Sequence, residues 1–139
     1  MTETLTILPH PLPVCANARI LLFAIRRMGA HGLADAHAAQ VMVTAFGHGF
    51  RRPLVLMRTL MAELASTAAG MIAIAPCCCA RMTPAEAALI AIVARVDGAT
   101  DTARLLATDL LGVRRVEPVL MAAGAVANAF ADAGRPVAG

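Results

Sequence analysis

The sequence predicts an all-α protein, a compact bundle of five to six helices with one short extended segment near residues 71–75. Apolar residues recur at three- and four-residue spacing along several stretches, which is the period of one helical face. Glycine or proline marks most ends of these stretches, as is typical of helix boundaries. With 139 residues, the chain has the length of one domain with a core of its own.

An extended N-terminal arm is predicted for residues 1–12, followed by a single helical domain over residues 13–139. Three prolines at alternate positions disfavour a helix in the arm, because proline lacks the N–H that a helix uses; they are Pro9, Pro11 and Pro13. The first residues include neither a positively charged leader nor a long apolar run. We therefore expect no secretion signal and a cytoplasmic location.

The helices are bounded by glycine, proline and capping residues. Thr83, Pro84 and Glu86 match the N-cap, the first and the third positions of a helix, which is the pattern of a capping box. Gly29 is expected to end the first helix, and Asp35 to lie in the first turn of the second. The expected helices cover about residues 13–28, 33–46, 52–65, 83–97, 100–111 and 117–133.

Two features of the sequence allow contact with another chain. Residues 71–75 alternate large and small side chains between Gly70 and Pro76, which is typical of a strand. Its partner would be residues 5–8 or the same segment of a second subunit. The last helix is rich in small residues that let another helix approach closely, inside the protomer or in a homo-oligomer or helical partner: Ala122, Ala123, Gly124, Ala125, Ala127 and Ala129.

Composition disfavours two classes of protein. The net charge is only +3, the paired arginines are spread along the chain, and there is no Tyr or Trp to stack on bases, so nucleic acid binding is disfavoured. Hydrophobic residues make up 59% of the chain. The longest uncharged run, residues 64–80, still falls short of the roughly 20 apolar residues that a spanning helix needs, so no transmembrane span is predicted.

Chemistry is expected in the loop that carries Cys77, Cys78 and Cys79, just ahead of the fourth helix. The helix N-terminus and Arg81 bring positive charge near the sulfurs, which favours the thiolate, the form that attacks electrophiles and binds soft metals. In an extended chain Cys77 and Cys79 point to the same side and form a chelate. Such a chelate suits Zn²⁺ or Cu(I) once further ligands join it; the candidates are Cys15, His10, His31, His37 and His48.

A simpler interpretation of these cysteines is that they are small, buried hydrophobic residues at a junction between helices. Their spacing matches no paired C-x-x-C zinc signature. His31 and His37 also lack the four-residue spacing of helical metal ligands, and local cap or surface hydrogen bonds would account for them.

Arg51 and Arg52 stand at the predicted start of the third helix, where a cation opposes the helix dipole. Their position indicates a bound anion or an acidic partner at this helix end, and Arg81 near the next helix start is grouped with them as an anion-binding residue. Solvated arginine side chains are the alternative.

Three stretches resemble a family of small uncharacterised alphaproteobacterial proteins: His31–His37, Phe50–Leu56 and Pro76–Thr83. The resemblance covers most of the chain. It implies a bacterial origin and groups the three stretches into one constellation, and it implies no role for any residue.

Together these features predict a small cytoplasmic binding or regulatory module whose cysteine loop binds a soft metal or responds to redox state. One alternative is a non-catalytic structural or interaction subunit in which the cysteines only pack. Another is a thiol-dependent enzyme in which one of the three cysteines reacts with a histidine as its base. The sequence contains no nucleophile elbow, phosphate loop or dinucleotide fingerprint, so an enzyme is the less expected class.

Overall fold

The computed structural model describes Leu8 and residues 10–138. Six α-helices make up most of this part of the chain, and the prediction of an all-α bundle is confirmed. They are α1 (Ala16–His31), α2 (Ala36–Phe46), α3 (Arg51–Thr67), α4 (Pro84–Arg95), α5 (Thr100–Leu111) and α6 (Glu117–Asp132). A 3₁₀ turn, Gly47–Gly49, joins α2 to α3, and two antiparallel strands of two residues each, β1 (His10–Pro11) and β2 (Arg81–Met82), lie beside the bundle.

The boundary between α1 and α2 differs from the expected one. Gly29 does not end α1; it stays helical, and a Cβ built on it would lie 3.4 Å from Cγ1 of Ile74. The helix ends instead at Gly32, whose φ of 101° suits a residue without a side chain. Asp35 is the N-cap of α2 rather than a first-turn residue, and its carboxylate accepts a hydrogen bond from the N–H of Ala38.

The core is centred on α6, which packs mainly against α3, while α4 packs mainly against α5. Phe130 on α6 is fully buried, and its ring meets that of Phe46 edge to face at 4.9 Å. Three of the small residues of α6 are also buried: Ala122, Ala123 and Ala129. Packing inside the protomer therefore accounts for these small residues.

The segment 71–75 contains no paired strand; among the described residues the two-stranded sheet joins residues 10–11 to 81–82 instead. Side chains take the place of a neighbouring strand, because the N–H of Ala75 donates to Glu86 and the carbonyl of Ala73 accepts from Thr83. Three of the four residues of the predicted N-terminal partner, residues 5–7, lie outside the part of the chain that the structure describes.

The described C-terminal residues fold back onto the start of the bundle. Arg135 donates to the carbonyl of Ala45 at 2.8 Å, and Asn17 donates to the carbonyl of Pro136 at 3.0 Å. Among the described residues, every helix is too short or too polar to cross a membrane.

Phe130→Ala is expected to destabilise the fold by about 3–5 kcal/mol, because it removes a fully buried ring and leaves a cavity between α3 and α6. Met121→Ala on the same helix is the matched control: its side chain is 76% exposed, so the expected change is within about 0.5 kcal/mol. Urea denaturation followed by circular dichroism measures both values. Equal losses for the two variants would contradict the central position of α6.

Candidate functional site

A buried ion pair connects α1 to α4. Arg26 donates from Nε to Oε2 of Glu86 at 2.8 Å and from Nη2 to Oε1 at 3.1 Å. The arginine side chain is 3% exposed and the glutamate side chain 0%. The hydrogen bond to Glu86 raises the pKa of Arg26 against the effect of its burial, so the guanidinium remains charged inside the protein.

Glu86 also collects backbone donors from the loop before α4. Its carboxylate accepts from the N–H of Ala75 at 3.1 Å and from that of Thr83 at 2.9 Å. The Thr83 hydroxyl in turn accepts from the N–H of Glu86, which completes the predicted capping box. Each carboxylate oxygen therefore holds one contact to Arg26 and one to the loop.

Arg26 fixes the loop from its other side. Its Nη1 donates to the carbonyl of Cys79 at 2.9 Å, and its Nη2 donates to the carbonyl of Arg81 at 2.8 Å. These bonds use the main chain on both sides of Ala80 and do not involve a sulfur atom. The ion pair thus positions the cysteine loop through its backbone.

The three cysteines form a turn, because the N–H of Cys79 donates to the carbonyl of Pro76 at 3.0 Å. The expectation of an extended chain with Cys77 and Cys79 on one side is wrong for this reason. Cys77 and Cys78 occupy the two corner positions and are exposed, whereas Cys79 is half-buried. We call residues 76–79 the cysteine turn. Strand β2 lies between the cysteine turn and α4, which starts at Pro84 as the sequence predicts.

Arg27 connects the cysteine turn to the start of α2. Its Nε and Nη2 donate to the two carboxylate oxygens of Asp35, each at 3.0 Å, and Nη2 also lies 2.9 Å from Nδ1 of His37. Asp35 first, and Cys77 after it, raise the pKa of the Arg27 guanidinium. Arg27 lines one surface groove together with His31 of the stretch 31–37 and Cys77 of the stretch 76–83.

Two grooves flank the cysteine turn. Groove A, of about 570 Å³, is lined by residues that include Arg26, Arg27, His31, Ile74, Cys77 and Cys78. Groove B, of about 360 Å³, is lined by residues that include Arg19, Phe23, Arg26, Cys77, Cys78 and Cys79. Among the described residues, neither lining contains an aspartate or a glutamate.

The predicted metal ligands are not gathered into one site. Cys15 is the N-cap of α1, and its Sγ lies 3.9 Å from the carbonyl of Pro136; a backbone hydrogen bond from Ala138 is the main cause that lowers its thiol pKa. His31 lines groove A, and His37 contacts Arg27. Within Leu8 and residues 10–138, no group of three His, Cys, Asp or Glu side chains is placed to hold a metal ion.

The three predicted anion-binding arginines lie in separate places. Arg52 pairs with Asp132 of α6 at 2.7 Å, so the acidic partner expected at this helix end lies within the chain. Arg51 stands over the ring of Phe50, 5.9 Å from its centroid. Arg81 donates from Nε to the carbonyl of Leu8.

The fold and the site define a class: a small helical protein with two exposed thiols on a turn that a buried ion pair holds in place. The chain belongs to a family of unknown function, DUF6628, whose sequence profile matches residues 2–112. The resemblance to a family of unknown function is thereby confirmed. No curated protein and no solved structure matches the chain.

Glu86→Ala is expected to lower the free energy of unfolding by about 3–5 kcal/mol, because Arg26 is left as an unpaired buried charge. Asp132→Ala, which breaks the exposed Arg52–Asp132 pair, is the control with an expected loss below about 1 kcal/mol. Urea denaturation measures both. The Glu86 variant should also lose the fixed cysteine turn, which is seen as faster hydrogen exchange at Cys79. Similar small losses in both variants would refute this role of the buried pair.

The Arg27–Asp35 pair is expected to stabilise the protein in a pH-dependent way. Arg27, and after it the N–H of Ala38, hold the pKa of the Asp35 carboxyl far below its usual range. The stabilisation is therefore fully present above the unfolded value of about 3.9 and disappears as the pH falls through the folded value. Asp35→Asn keeps a capping oxygen without the charge.

The difference in unfolding free energy between the wild type and Asp35→Asn should accordingly be constant from about pH 5 to 7 and shrink below about pH 4. Urea titrations at a series of pH values measure it. A difference that is as large well below pH 4 as it is between pH 5 and 7 would show that the charge of Asp35 contributes nothing.

Proposed function

We propose that the protein is a small binding or regulatory module that responds to redox state through the thiols of Cys77 and Cys78. The observation that carries the proposal is the exposure of both thiols on a turn whose backbone is bound to the buried Arg26–Glu86 pair. A held turn presents its thiols in one arrangement, which a specific reaction with a partner needs.

The surroundings of the turn support this assignment. Reactive cysteines in proteins lie in accessible, electropositive environments, because positive charge favours the thiolate. Arg27 lines groove A together with Cys77, and arginines line both grooves beside the turn. The alternative role as buried packing residues does not fit Cys77 and Cys78, since both side chains are exposed.

The geometry favours an external partner over a bond between the two neighbours. Consecutive Cα atoms are about 3.8 Å apart, whereas disulfides usually join Cα atoms about 4.4–6.8 Å apart. A Cys77–Cys78 disulfide would therefore be strained. Exchange with an external disulfide avoids this strain: the Cys77 thiolate attacks one sulfur of the partner, a new S–S bond forms, and the other half leaves as a thiolate.

Binding of Zn²⁺ or Cu(I) is the second candidate, favoured by the adjacent exposed thiols of Cys77 and Cys78. Because no third ligand is gathered among the described residues, the remaining ligands would come from solvent or from a second copy of the chain. If the second copy supplies them, metal binding would require a homo-oligomer. For both candidates we propose a cytoplasmic location, where thiols are kept reduced.

Alkylation of the reduced, anaerobically purified protein with iodoacetamide at neutral pH tests the proposal. Cys77 and Cys78 are expected to react about tenfold faster than the half-buried Cys79, as followed by fragmentation mass spectrometry. The urea-unfolded protein is the control, in which these three rates should converge. Slow reaction of all three cysteines in the folded protein would overturn the thiol proposal.

Elemental analysis of the same preparation separates the two candidates. About one equivalent of zinc or copper, lost in the double variant Cys77→Ser/Cys78→Ser, would favour the metal. Metal-free protein with reactive thiols would favour redox exchange.

A further inference from the structure

We infer that the redox partner of the cysteine turn is a small disulfide that carries carboxylates and binds in groove A, where Arg27 recognises its negative charge. The inference rests on the proposed function of the turn as a thiol-exchange site. It adds the chemical class of the partner and the direction from which that partner approaches.

The charge distribution of groove A favours an anion. Arg26, Arg27 and His31 line it, whereas the carboxylates that pair with the two arginines lie outside the lining. Glu86 is 0% exposed and the Asp35 side chain 8%. Of the two arginines, Arg27 is the accessible one, with a side chain 16% exposed against 3% for Arg26. A ligand in the groove therefore meets the charge of Arg27 and no carboxylate of the lining.

The size and the remaining walls of groove A suit a peptide-like small molecule. Its volume of about 570 Å³ falls within the roughly 300–1,000 Å³ typical of small-ligand pockets. Ile72, Ile74 and Pro76 add apolar side chains to the same lining. A disulfide with an aliphatic or peptide body and terminal carboxylates matches the apolar and the charged residues.

Arg27 is placed to orient the reaction, because it lines groove A together with Cys77. A carboxylate that binds Arg27 brings its disulfide close to the Cys77 sulfur. The Cys77 thiolate then attacks the nearer sulfur, the S–S bond of the ligand breaks, and the other half departs as an anionic thiolate that takes a proton from water. One disulfide is consumed and one mixed disulfide forms, so no further oxidant is required.

The test compares two disulfides of opposite charge, oxidised glutathione and cystamine. Mixed-disulfide formation is followed by intact mass in a Cys78→Ser/Cys79→Ser background, so that no neighbouring thiol removes the adduct, and the adduct on Cys77 is confirmed by fragmentation. The measured quantity is the ratio of the rate with oxidised glutathione to the rate with cystamine. It is divided by the same ratio for N-acetylcysteine amide, a small free thiol. A ratio cancels any change in the reactivity of the Cys77 thiol itself.

Arg27→Gln is expected to lower this ratio about fivefold or more at low salt, because one nearby positive charge favours the anion and disfavours the cation. Arg27→Lys should restore most of it. Arg19→Gln, which removes the same charge from groove B, is the matched control and should change the ratio less than about twofold. Without any substitution at Arg27, the ratio should also fall about fivefold between low salt and 1 M salt, where charges are screened beyond about 3 Å.

The failures are distinguishable. If Cys77 reacts with both disulfides but neither Arg27→Gln nor salt changes the ratio, the anionic partner is wrong while the thiol site stands. If Arg19→Gln lowers the ratio as much as Arg27→Gln does, the placement in groove A is wrong. If Cys77 reacts with neither disulfide, both the inference and the proposed redox function are overturned.

Discussion

Arg26 and Glu86 are both withdrawn from solvent, and two charges can stay there only if nearly all of their hydrogen-bonding capacity is used. This requirement sets the structure around them. The carboxylate accepts two bonds from the arginine and two from loop amides, and the arginine donates two more to loop carbonyls. The backbone of the loop between α3 and α4 is therefore fixed by hydrogen bonds to the ion pair, while apolar packing stabilises the helices.

The same bonds divide the loop into an inner and an outer half. Its backbone groups at Ala75, Cys79, Arg81 and Thr83 face the ion pair, and the thiols of Cys77 and Cys78 face solvent. The polar interior thus orders the turn, while Ile74 and Met82 of the same loop pack with the apolar core. Arg27, one residue along α1 from Arg26, binds Asp35, the N-cap of α2, and lines the groove beside Cys77 and Cys78. Consecutive arginines of one helix therefore serve opposite sides of the turn.

Local signals in the sequence were sufficient for the helices and for the capping box, because Thr83 and Glu86 interact within one helical turn. They were insufficient for the site. Arg26 lies 60 residues from Glu86 and Arg52 lies 80 from Asp132, and nothing in local periodicity distinguishes a buried arginine from a solvated one. The cysteine turn was missed for a related reason: its own hydrogen bond spans three residues, but the side chain that holds its backbone, Arg26, lies 53 residues away from Cys79. The sequence predicted only the capping role of Glu86 and not its bonds to Arg26 and to the N–H of Ala75.

The family profile ends at Gly112, but the core does not. Helix α6, which lies outside the matched region, packs against α3, and its Phe130 ring packs on that of Phe46. Both α3 and Phe46 lie inside the matched region. The helical bundle, which includes α6, therefore extends beyond the residues that the family profile matches. A relative that shares only residues 2–112 would have to use another helix or a second chain to cover the face of α3 that packs against α6.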